Sequence, residues 1–552
     1  MFVRKKKSGR YEYLQLVHNE RIAGKVRQRV IATLGRVDEL SQNRRLEGIM
    51  ASLGRFVEEA AVLTAHRRGE IPEADTIRIG PALVFERLWR DLGIGQELDR
   101  LLLGRRFEFP VERAVFLTVL HRLFTSGSDR AAETWRRAYR IEGTEALSLH
   151  HLYRAMAYLG EALPDQSEAT AFAPRTTKDD VEEALFGRHR DLFSSLDVVF
   201  FDTTSLYFEG EGGERLGQYG ISKDHRPDRK QMVVGAVLDQ TGRPLSSEFW
   251  PGNTSDVKTL IPVLKRLRRR FGAGELCVVA DRGMISRATI EALEKTPDAH
   301  YILGVRMRLL KEVREKVLSR PGRYREVRGP RASRKDPAPL KVKEVRLGAR
   351  RYIVCYNEDQ AAKDRADREA IVAALREQLK RGDKSLVGNK GYRRYLTSPS
   401  DHFEIDEKKI QAEARYDGKW ILETDLEIGA AEVALRYKEL WRVEALFRSL
   451  KSILNTRPIY HQSDAAIRGH VFCSFLALLL LYELRRRMDG RGWPWHWKNL
   501  RAELDGLEEI RVENLGRTFS IRSRTLGEAS KALRAAGIAL GPALSFAERT
   551  DS

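Results

Sequence analysis

Residues 196–208, LDVVFFDTTSLYF, contain the first of a series of strand-like apolar runs from which the fold is predicted. The apolar run in this stretch ends in an acid, Asp202. Similar strand-like runs follow it in KQMVVGAVLDQTGRPLSSEFW (230–250), LCVVADRG (276–283) and HYILGV (300–305). Helical spacing of apolar residues appears between the later runs, in VKTLIPVLKRLRRRF (257–271) and SRATIEALE (286–294). Three strands, then helix, strand, helix and strand, predict a mixed sheet flanked by helices.

This order of elements matches an RNase H-like core inside a multidomain α/β protein. A chain of 552 residues is long enough for three or four units. We predict these segments: a basic β-hairpin plus helix (1–75), a mainly helical DNA-binding domain (76–165), a linker (166–190), the first part of the core (191–305), a basic β-rich insertion (306–425), the second part with a catalytic helix (426–490), and an unassigned C-terminal segment (491–552).

Local sequence patterns predict the secondary structure of these segments. The runs YEYLQLV (11–17) and KVRQRVIATL (25–34) alternate as in a hairpin. Apolar spacing between 80 and 163 is helical and fits either a helix-turn-helix reader of DNA or any small helical bundle. The insertion has one helical stretch near 365–381, and AEVALRYKELWRVEALFRSLKSIL (431–454) is expected to form one continuous helix.

The net charge of +20 indicates a polyanionic partner, with nucleic acid as the leading class. The excess is concentrated in two places: 306–351 has 17 basic and 5 acidic residues, and 1–30 has 9 basic and 2 acidic residues. One basic run alone could be a solvated face. Two such stretches favour two surfaces that contact double-stranded DNA, and Arg323, Arg325, Arg328, Arg331 and Arg334 are the candidates in the first.

The cysteines and apolar runs argue for a cytoplasmic protein that binds no membrane. Cys277, Cys355 and Cys473 lie in apolar settings without metal-ligand spacing, so we expect reduced core residues. The basic N-terminus lacks the apolar segment of a secretory signal. The longest apolar run, 471–482, is too short to span a bilayer and is expected to be a buried helix.

Two acids follow apolar strands in the predicted core. Asp202 comes after Val198 to Phe201, and Asp281 comes after Leu276 to Ala280. An unpaired carboxylate in such a position costs several kcal/mol, so a positive partner is required. For one acid, a salt bridge or a backbone cap is the simpler explanation. Two acids in one predicted sheet favour a shared cation.

A third acid comes from the helix predicted over 431–454. Tyr437, Glu444 and Lys451 are spaced by seven residues and would share one helix face, with Arg448 four residues after Glu444. Glu439 would lie on a different face. An ordinary surface pair between Glu444 and Arg448 is the alternative, and it is favoured for the helix taken alone.

Together these residues resemble a DDE transposase of bacterial insertion sequences, in the superfamily named after insertion sequence four. The resemblance rests on DTTSLYF with Asp202, on ADRG with Asp281, and on a C-terminal signature of Tyr, Arg, Glu and Lys. That signature is read here as Tyr437, Leu440, Glu444 and Lys451, with Leu440 in place of the family arginine. SKDHRPDRKQMVVG (222–235) and LNTRPIYH (454–461) resemble one branch of the superfamily.

The resemblance implies a metal-dependent transposase. Asp202, Asp281 and Glu444 would be both catalytic residues and metal ligands, holding two Mg2+ ions for which Mn2+ could substitute. Tyr437 and Lys451 would position DNA phosphates, and Arg442 or Arg448 could replace the missing arginine. A homodimer would join two element ends with target DNA. Lys223 and Arg282, close to the motifs, are further DNA-binding candidates. Trp441 could stack on a base or pack under the helix, and packing is favoured.

Two other functions fit the same residues. An RNase H-like nuclease could use the three acids without strand transfer, although it would need no domains that read DNA ends. A transposase-derived DNA-binding protein could have lost catalysis, but the three acids are intact. Terminal inverted repeats flanking the coding region would favour a transposase over both.

Overall fold

The computed structural model describes residues 2–22, 25–42, 73–167, 169, 173–189, 197–329, 336–380, 393–400, 402–514, 517–525 and 527–546. The chain divides into two compact units, which are described separately below. The first unit comprises Met1–Thr76, Ile510–Arg522 and Pro542–Ser552, and the second comprises Ile77–Glu509 and Ser523–Gly541.

The strands and helices are numbered in chain order. The strands are β1 (Phe2–Ser8), β2 (Tyr11–Ile22), β3 (Lys25–Arg36), β4 (Glu73–Arg78), β5 (Val198–Tyr207), β6 (Gln231–Asp239), β7 (Pro244–Pro251), β8 (Leu276–Ala280), β9 (Ala299–Gly304), β10 (Arg325–Arg328), β11 (Leu340–Leu347), β12 (Arg350–Tyr356), β13 (Leu396–Ser400), β14 (His402–Ile405), β15 (Lys419–Thr424), β16 (Glu508–Asn514), β17 (Arg517–Arg522) and β18 (Leu544–Phe546). The α-helices are α1 (Val37–Gln42), α2 (Gly80–Asp91), α3 (Ile94–Leu101), α4 (Val111–Phe124), α5 (Asp129–Trp135), α6 (Leu149–Gly160), α7 (Thr177–His189), α8 (Leu260–Phe271), α9 (Arg287–Glu294), α10 (Glu358–Lys380), α11 (Glu407–Ala414), α12 (Ala430–Lys438), α13 (Trp441–Ser452), α14 (Asp464–Asp489), α15 (Trp497–Asp505) and α16 (Gly527–Ala535).

A mixed sheet with the strand order β10-β11-β12-β15-β9-β8-β5-β6-β7 organises the second unit. Strands β5, β8 and β9 run parallel, and the other neighbours pair antiparallel. The predicted succession is confirmed, because β5, β6 and β7 are followed by α8, β8, α9 and β9. Buried residues such as Val199 and Phe200 face the apolar clusters on opposite sides of the sheet. The fold is therefore mixed α/β, as expected.

Residues 306–425 extend this same sheet. They contribute β10, β11, β12 and β15, and β15 pairs with β9 through Leu422 opposite Gly304. The helix expected near 365–381 is α10, which begins earlier, at Glu358. The basic segment is thus joined to the core by continuous backbone hydrogen bonding, which holds its outer strands at a fixed register from β5 and β8, the strands of Asp202 and Asp281.

The helical region expected as a separate domain over 76–165 shares a core with the sheet. Helix α14 packs on α4 and α6, and buried residues of all three belong to one apolar cluster. Helix α4 is buried on every side. The apolar character of α14 explains this arrangement, because a helix with apolar residues all around needs neighbours on each face.

The segment 166–190, expected as a linker, contains a buried helix. Helix α7 buries Lys178, Asp179 and Glu182 against α8 and β7. Its polar composition suggested solvent exposure, but Arg266 and Arg270 of α8 neutralise its acids inside the protein. Opposite charges from a distant segment, which local composition does not show, account for the difference.

The helix predicted over 431–454 is two helices. Helix α12 ends at Lys438, α13 begins at Trp441, and Glu439 and Leu440 form the turn between them. The seven-residue spacing therefore does not place Tyr437 and Glu444 on one continuous helix face. Leu440 is buried in the apolar core at this turn, which favours a bend of the chain at that point.

The first unit contains the predicted N-terminal hairpin, formed by β2 and β3, and extends it with β1 into an antiparallel sheet in the order β1-β2-β3. The helical stretch predicted up to residue 68 lies outside the described residues beyond α1. The C-terminal segment 491–552 contributes α15 and α16 to the second unit. Its strands β16 to β18 join β4 in a sheet of order β18-β17-β16-β4.

The three cysteines and the longest apolar run are buried. Burial raises the pKa of Cys277 and Cys473 to about 12, and it also raises the pKa of Cys355, so these thiols are unreactive near neutral pH. Helix α14 has the length and composition of a membrane span, but 78% of its most apolar window is buried inside the protein. It serves here as the core helix predicted from 471–482.

Candidate active site

Asp202 and Asp281 occupy corresponding positions on two adjacent strands. Phe201 of β5 lies opposite Ala280 of β8 in the parallel register, so each acid is the next residue along its strand. Asp202 lies in the middle of β5, which continues to Tyr207. Asp281 directly follows the last residue of β8 and precedes a short 3-10 turn, Arg282–Met284. The register therefore brings the two predicted acids together at one point of the sheet.

The surroundings of Asp202 disfavour its negatively charged form unless a cation is nearby. Burial raises the pKa of Asp202 to about 6, with the neighbouring carboxylates of Asp281 and Asp256 adding to the effect. The Lys223 ammonium and the Thr203 backbone amide, which donates to Asp202 Oδ1 at 2.7 Å, act in the opposite direction. Three acids close to one another, two of them at neighbouring positions on the parallel strands β5 and β8, form an electrostatic setting that a cation would stabilise.

Glu444 and Asp281 line the same cleft of about 380 Å³, together with Tyr437, Trp441 and Leu440. The Glu444 side chain is exposed, and no hydrogen-bond or ion-pair partner contacts it within the part of the chain that the structure describes. The expected pair with Arg448 is therefore not formed. An acid with free oxygens beside Asp281 is chemically suited to bind a ligand.

Tyr437 is a direct neighbour of the predicted acids. Its hydroxyl donates to Asp281 Oδ1 at 3.1 Å, and burial together with this carboxylate raises the pKa of Tyr437 well above its usual value. It is thus a neutral donor at any physiological pH. This contact orients Asp281, in addition to the phosphate role implied by the resemblance.

Lys451 lies on α13 beyond Glu444 and contacts an acid. Its ammonium donates to Asp224 Oδ1 at 2.8 Å, and Arg457 Nε donates to Asp224 Oδ2 at the same distance. Burial lowers the pKa of Lys451, and Asp224 opposes that shift. Asp224 belongs to the SKDHRPDRK segment, so the two stretches that resemble the family branch meet here.

The two arginines considered as replacements for the family arginine differ in their contacts. Arg442 Nε donates to Glu439 at 2.6 Å, and its guanidinium also reaches the Thr241 carbonyl. Arg448 is exposed and makes no side-chain contact within the described residues. Leu440 itself is only 5% exposed, so an arginine there would place a charge in the apolar core.

Asp256 and Thr203 also belong to the site, although they were not among the sequence candidates. Asp256 accepts from the Thr203 hydroxyl at 2.7 Å and pairs with Lys223 at 3.0 Å. Lys223 also donates to the carbonyl and hydroxyl oxygens of Thr203 at 2.8 Å. The available signal was the position of Asp256, which follows the strand-like run 230–250 within GNTSD (252–256), much as Asp281 follows the run 276–280. Lys223, predicted as a DNA contact, lies beside Asp202.

Arginines lie both next to Asp281 and at the far edge of the sheet. Arg282, Arg306 and Arg308 line a second cleft of about 310 Å³ that also contains Asp281. Arg323, Arg325 and Arg328 lie on or next to β10, the edge strand, and have no side-chain partner in the residues that can be described. Arg331 and Arg334 lie outside the described residues.

Trp441 is 53% exposed at the rim of the cleft that contains Glu444. The interpretation that it packs under the helix is wrong, because Val443, Phe447 and Leu450 are the residues of α13 that are buried in the core. An exposed indole beside the acids remains available to stack on a base.

The chain was compared with known families and structures. Residues 194–480 match the model described as transposase DDE domain, and residues 2–65 match the model described as IS1634 family transposase, N-terminal domain. No curated protein matches the sequence. Among solved structures, a piggyBac transposase synaptic complex with hairpin DNA is 12% identical, with 77% of this chain and 79% of that chain covered and a TM-score of 0.39. A Mos1 transposase paired-end complex with left transposon end is 14% identical, with 34% and 57% covered and a TM-score of 0.15, so the match spans little more than half of that chain.

The DDE model covers more than half of the chain, and its range includes the strands of Asp202 and Asp281 and the helix of Glu444. The N-terminal model covers the basic sheet and the residues after it. The chain belongs to the DDE transposase family and is an insertion-sequence transposase.

Proposed function

We propose that Asp202, Asp281 and Glu444 form the metal-binding catalytic site of an RNase H-like core that cuts element ends and joins them to target DNA. The observation that carries this proposal is the parallel register of β5 and β8, which aligns Asp202 with Asp281. The order β7-β6-β5-β8-β9, with three antiparallel strands followed by two parallel ones, supports the RNase H-like assignment.

The residues present fit divalent metal ions. Carboxylate oxygens are the hard ligands that Mg2+ prefers, and Mn2+ accepts the same set. The raised pKa of Asp202, to about 6, and the free carboxylate of Glu444 indicate negative charge that the protein itself does not neutralise. When bound, a pair of Mg2+ ions would activate the attacking oxygen and stabilise the leaving oxygen.

The chain's own residues then orient the reactants. Tyr437 holds Asp281 through its hydroxyl, and Lys451, with Arg442 or Arg448, would hold DNA phosphates in line for displacement. In the first step, water attacks the scissile phosphorus and the bond to the 3′-oxygen breaks, which leaves a free 3′-hydroxyl. In the second step, that hydroxyl attacks a target phosphodiester and displaces its 3′-oxygen. Neither step needs a covalent bond to the protein.

Two element ends must be held together for this reaction, so we propose that a homodimer forms the synaptic complex. The net charge of +20 supports attachment to DNA in the bacterial cytoplasm. The decisive assay supplies a labelled duplex that ends in the element's terminal repeat, together with a target plasmid. Cleavage followed by joining supports a transposase. Cleavage without joining would instead support a nuclease, and binding without cleavage would support a DNA-binding protein that has lost catalysis.

Metal affinity should depend on pH through Asp202. Its pKa is raised to about 6 in the protein without metal, so below that pH the carboxyl must lose a proton before it can bind a cation. We expect the apparent affinity for Mn2+ to fall about tenfold per pH unit below pH 6 and to level off above it. Calorimetric titration at several pH values measures this. In Asp202→Asn the residual affinity should lose this slope, and an unchanged slope would exclude Asp202 as the titrating ligand.

The arginines of the sheet edge should contribute salt-dependent, sequence-independent binding. We expect the triple change of Arg323, Arg325 and Arg328 to Gln to weaken binding to all duplexes alike. The slope of log affinity against log salt should become shallower by about 0.9 for each phosphate that the variant no longer binds. Fluorescence anisotropy at several salt concentrations measures this. A weaker affinity for one DNA sequence alone would show base reading at this edge instead.

A further inference from the structure

Arg457 lies beside Lys451 in a cluster that has more positive than negative charge. Asp224 is only 4% exposed, and its two oxygens each accept one bond, from Lys451 and from Arg457. One carboxylate thus holds two cations, which leaves a surplus of one positive charge. Lys223 is near enough to affect the pKa of Lys451 and adds to the positive potential. A buried cluster with such a surplus favours an anion.

The geometry leaves the binding face of Arg457 free. Asp224 engages only Nε, at 2.8 Å, while the plane of the guanidinium lies over the Tyr207 ring at 5.8 Å. The two terminal nitrogens make no hydrogen bond within the described residues. These nitrogens carry four N–H groups in a planar fork, the arrangement that binds phosphate through two parallel hydrogen bonds. Lys451 similarly uses one of its three N–H donors and keeps two.

The position of Arg457 also bears on the arginine that the family signature expects at position 440, where this chain has a buried leucine. Arg442 is held by Glu439 and Thr241, and Arg448 has no residue that fixes its orientation within the described part of the chain. Arg457, in contrast to both, is anchored by a buried acid next to Lys451. It is also 27% exposed, so a ligand can reach it.

We propose that Lys451 and Arg457 form one binding site for a DNA phosphate next to the catalytic acids. In this site Arg457 supplies the guanidinium missing at position 440. Asp224 is the residue that positions both Lys451 and Arg457. The ligand is a phosphodiester of the bound strand. This inference rests on the proposed function, because only an enzyme that holds DNA at these acids needs such a site. Asp224 touches no substrate and acts through its two partners.

Removal of the guanidinium should weaken the enzyme in a defined way. We expect Arg457→Ala to reduce cleavage of a terminal-repeat duplex by about ten- to a hundredfold, the reduction that corresponds to about 1.5–3 kcal/mol for charge-assisted hydrogen bonds to a phosphate. Arg457→Lys, which keeps the charge but loses the fork, should have a rate between those of wild type and Arg457→Ala. Binding of Arg457→Ala should show a salt slope shallower by about 0.9. A wild-type rate and an unchanged slope would refute the proposal.

The phosphate itself can be located by a double-mutant cycle in which single phosphates of the duplex are replaced by uncharged methylphosphonates. At the contacted phosphate, the replacement should slow wild type but add little to the defect of Arg457→Ala. At every other phosphate the two effects should multiply. If they multiply at all positions, Arg457 contacts no phosphate. If wild type itself cuts no duplex, the proposed function fails and not this site alone.

Asp224→Asn separates positioning from charge. The change removes a negative charge, so overall DNA affinity should be kept or increased, yet cleavage should fall because Lys451 and Arg457 lose their fixed geometry. Glu483→Gln is the matched control, because Glu483 is 8% exposed and also holds two arginines, Arg486 and Arg487, away from the site. Equal loss of cleavage in both variants would indicate a general loss of stability and contradict the role of Asp224. If Asp224→Asn does not fold, the rates and salt slopes of the Arg457 variants still test whether Arg457 binds a DNA phosphate.

Discussion

Replacement of Asp202, Asp281 or Glu444 by Ala should abolish both strand cleavage and strand transfer while DNA-end binding is retained. In the proposed mechanism both steps use the same carboxylates, whereas the proposed DNA contacts Arg325 and Arg328 lie on the edge strand β10, away from the strands of Asp202 and Asp281. Loss of the metal ligands removes the largest contribution to transition-state stabilisation, so activity should drop below detection. The measurement is cleavage of a labelled end duplex in Mg2+, with thermal melting and DNA binding of each variant.

The control is Glu439→Ala. Glu439 lies in the turn before α13 and is engaged with Arg442 in a half-exposed pair, so its loss should leave cleavage near the wild-type level. Tyr437→Phe should slow the reaction without stopping it, because Asp281 loses one hydrogen bond and keeps its place at the end of β8. A well-folded Glu444→Ala that still cuts DNA would remove Glu444 from the catalytic site. An inactive, well-folded Glu439→Ala would instead assign the catalytic role of the third acid to Glu439.

Arg270→Ala should destabilise the second unit by about 3–5 kcal/mol, because it removes one of the cations that neutralise a group of buried acids. Arg270 of α8 contacts Asp179 at 3.1 Å and Glu182 at 2.8 Å, both of α7. Arg266 and Lys178 share the same acids, and the cluster closes on Glu248 of β7. Burial acts to raise the pKa of Asp179, but these cations outweigh it and lower that pKa. Urea denaturation followed by tryptophan fluorescence measures the destabilisation.

Arg287→Ala is the comparison for this prediction. Arg287 pairs with Glu291 on the surface, with 84% of its side chain exposed, so its loss should not shift the urea midpoint measurably. Arg270→Ala and Arg287→Ala with equal midpoints would mean that the buried cluster adds nothing to stability. A second result would support the cluster's role: the double change of Arg270 to Met and Glu182 to Gln should recover part of the stability, since fewer buried charges then remain unpaired.

The sequence predicted those parts of the fold that depend on local patterns. The apolar runs ending in Asp202 and Asp281 predicted two core strands, and their observed parallel register brings the acids together. The alternation in 1–34 predicted the hairpin of β2 and β3, and the apolar run 471–482 predicted a buried helix. In each case the residues that determine the element are neighbours in the chain, so their periodicity is visible in the sequence.

Features that depend on distant contacts were not predicted. The break between α12 and α13 lies at Glu439 and Leu440, and no helical periodicity in 431–454 indicates it. The burial of α7 depends on arginines almost a hundred residues later. Lys451 was expected to be free for phosphate, yet Asp224, 227 residues earlier in the chain, accepts a hydrogen bond from its ammonium. The role of Arg457 is visible only once that hydrogen bond is known.

The central claim is that Asp202, Asp281 and Glu444 form one metal centre, and anomalous diffraction from crystals of the protein with a terminal-repeat duplex and Mn2+ tests it most directly. We predict anomalous peaks at coordination distance from the carboxylates of Asp202 and Asp281, with Glu444 contributing an oxygen from α13. Asp202→Ala crystals should lose the peak shared by the two aspartates. Mn2+ bound elsewhere in the wild-type complex, with no peak at Asp202 and Asp281, would contradict the claim.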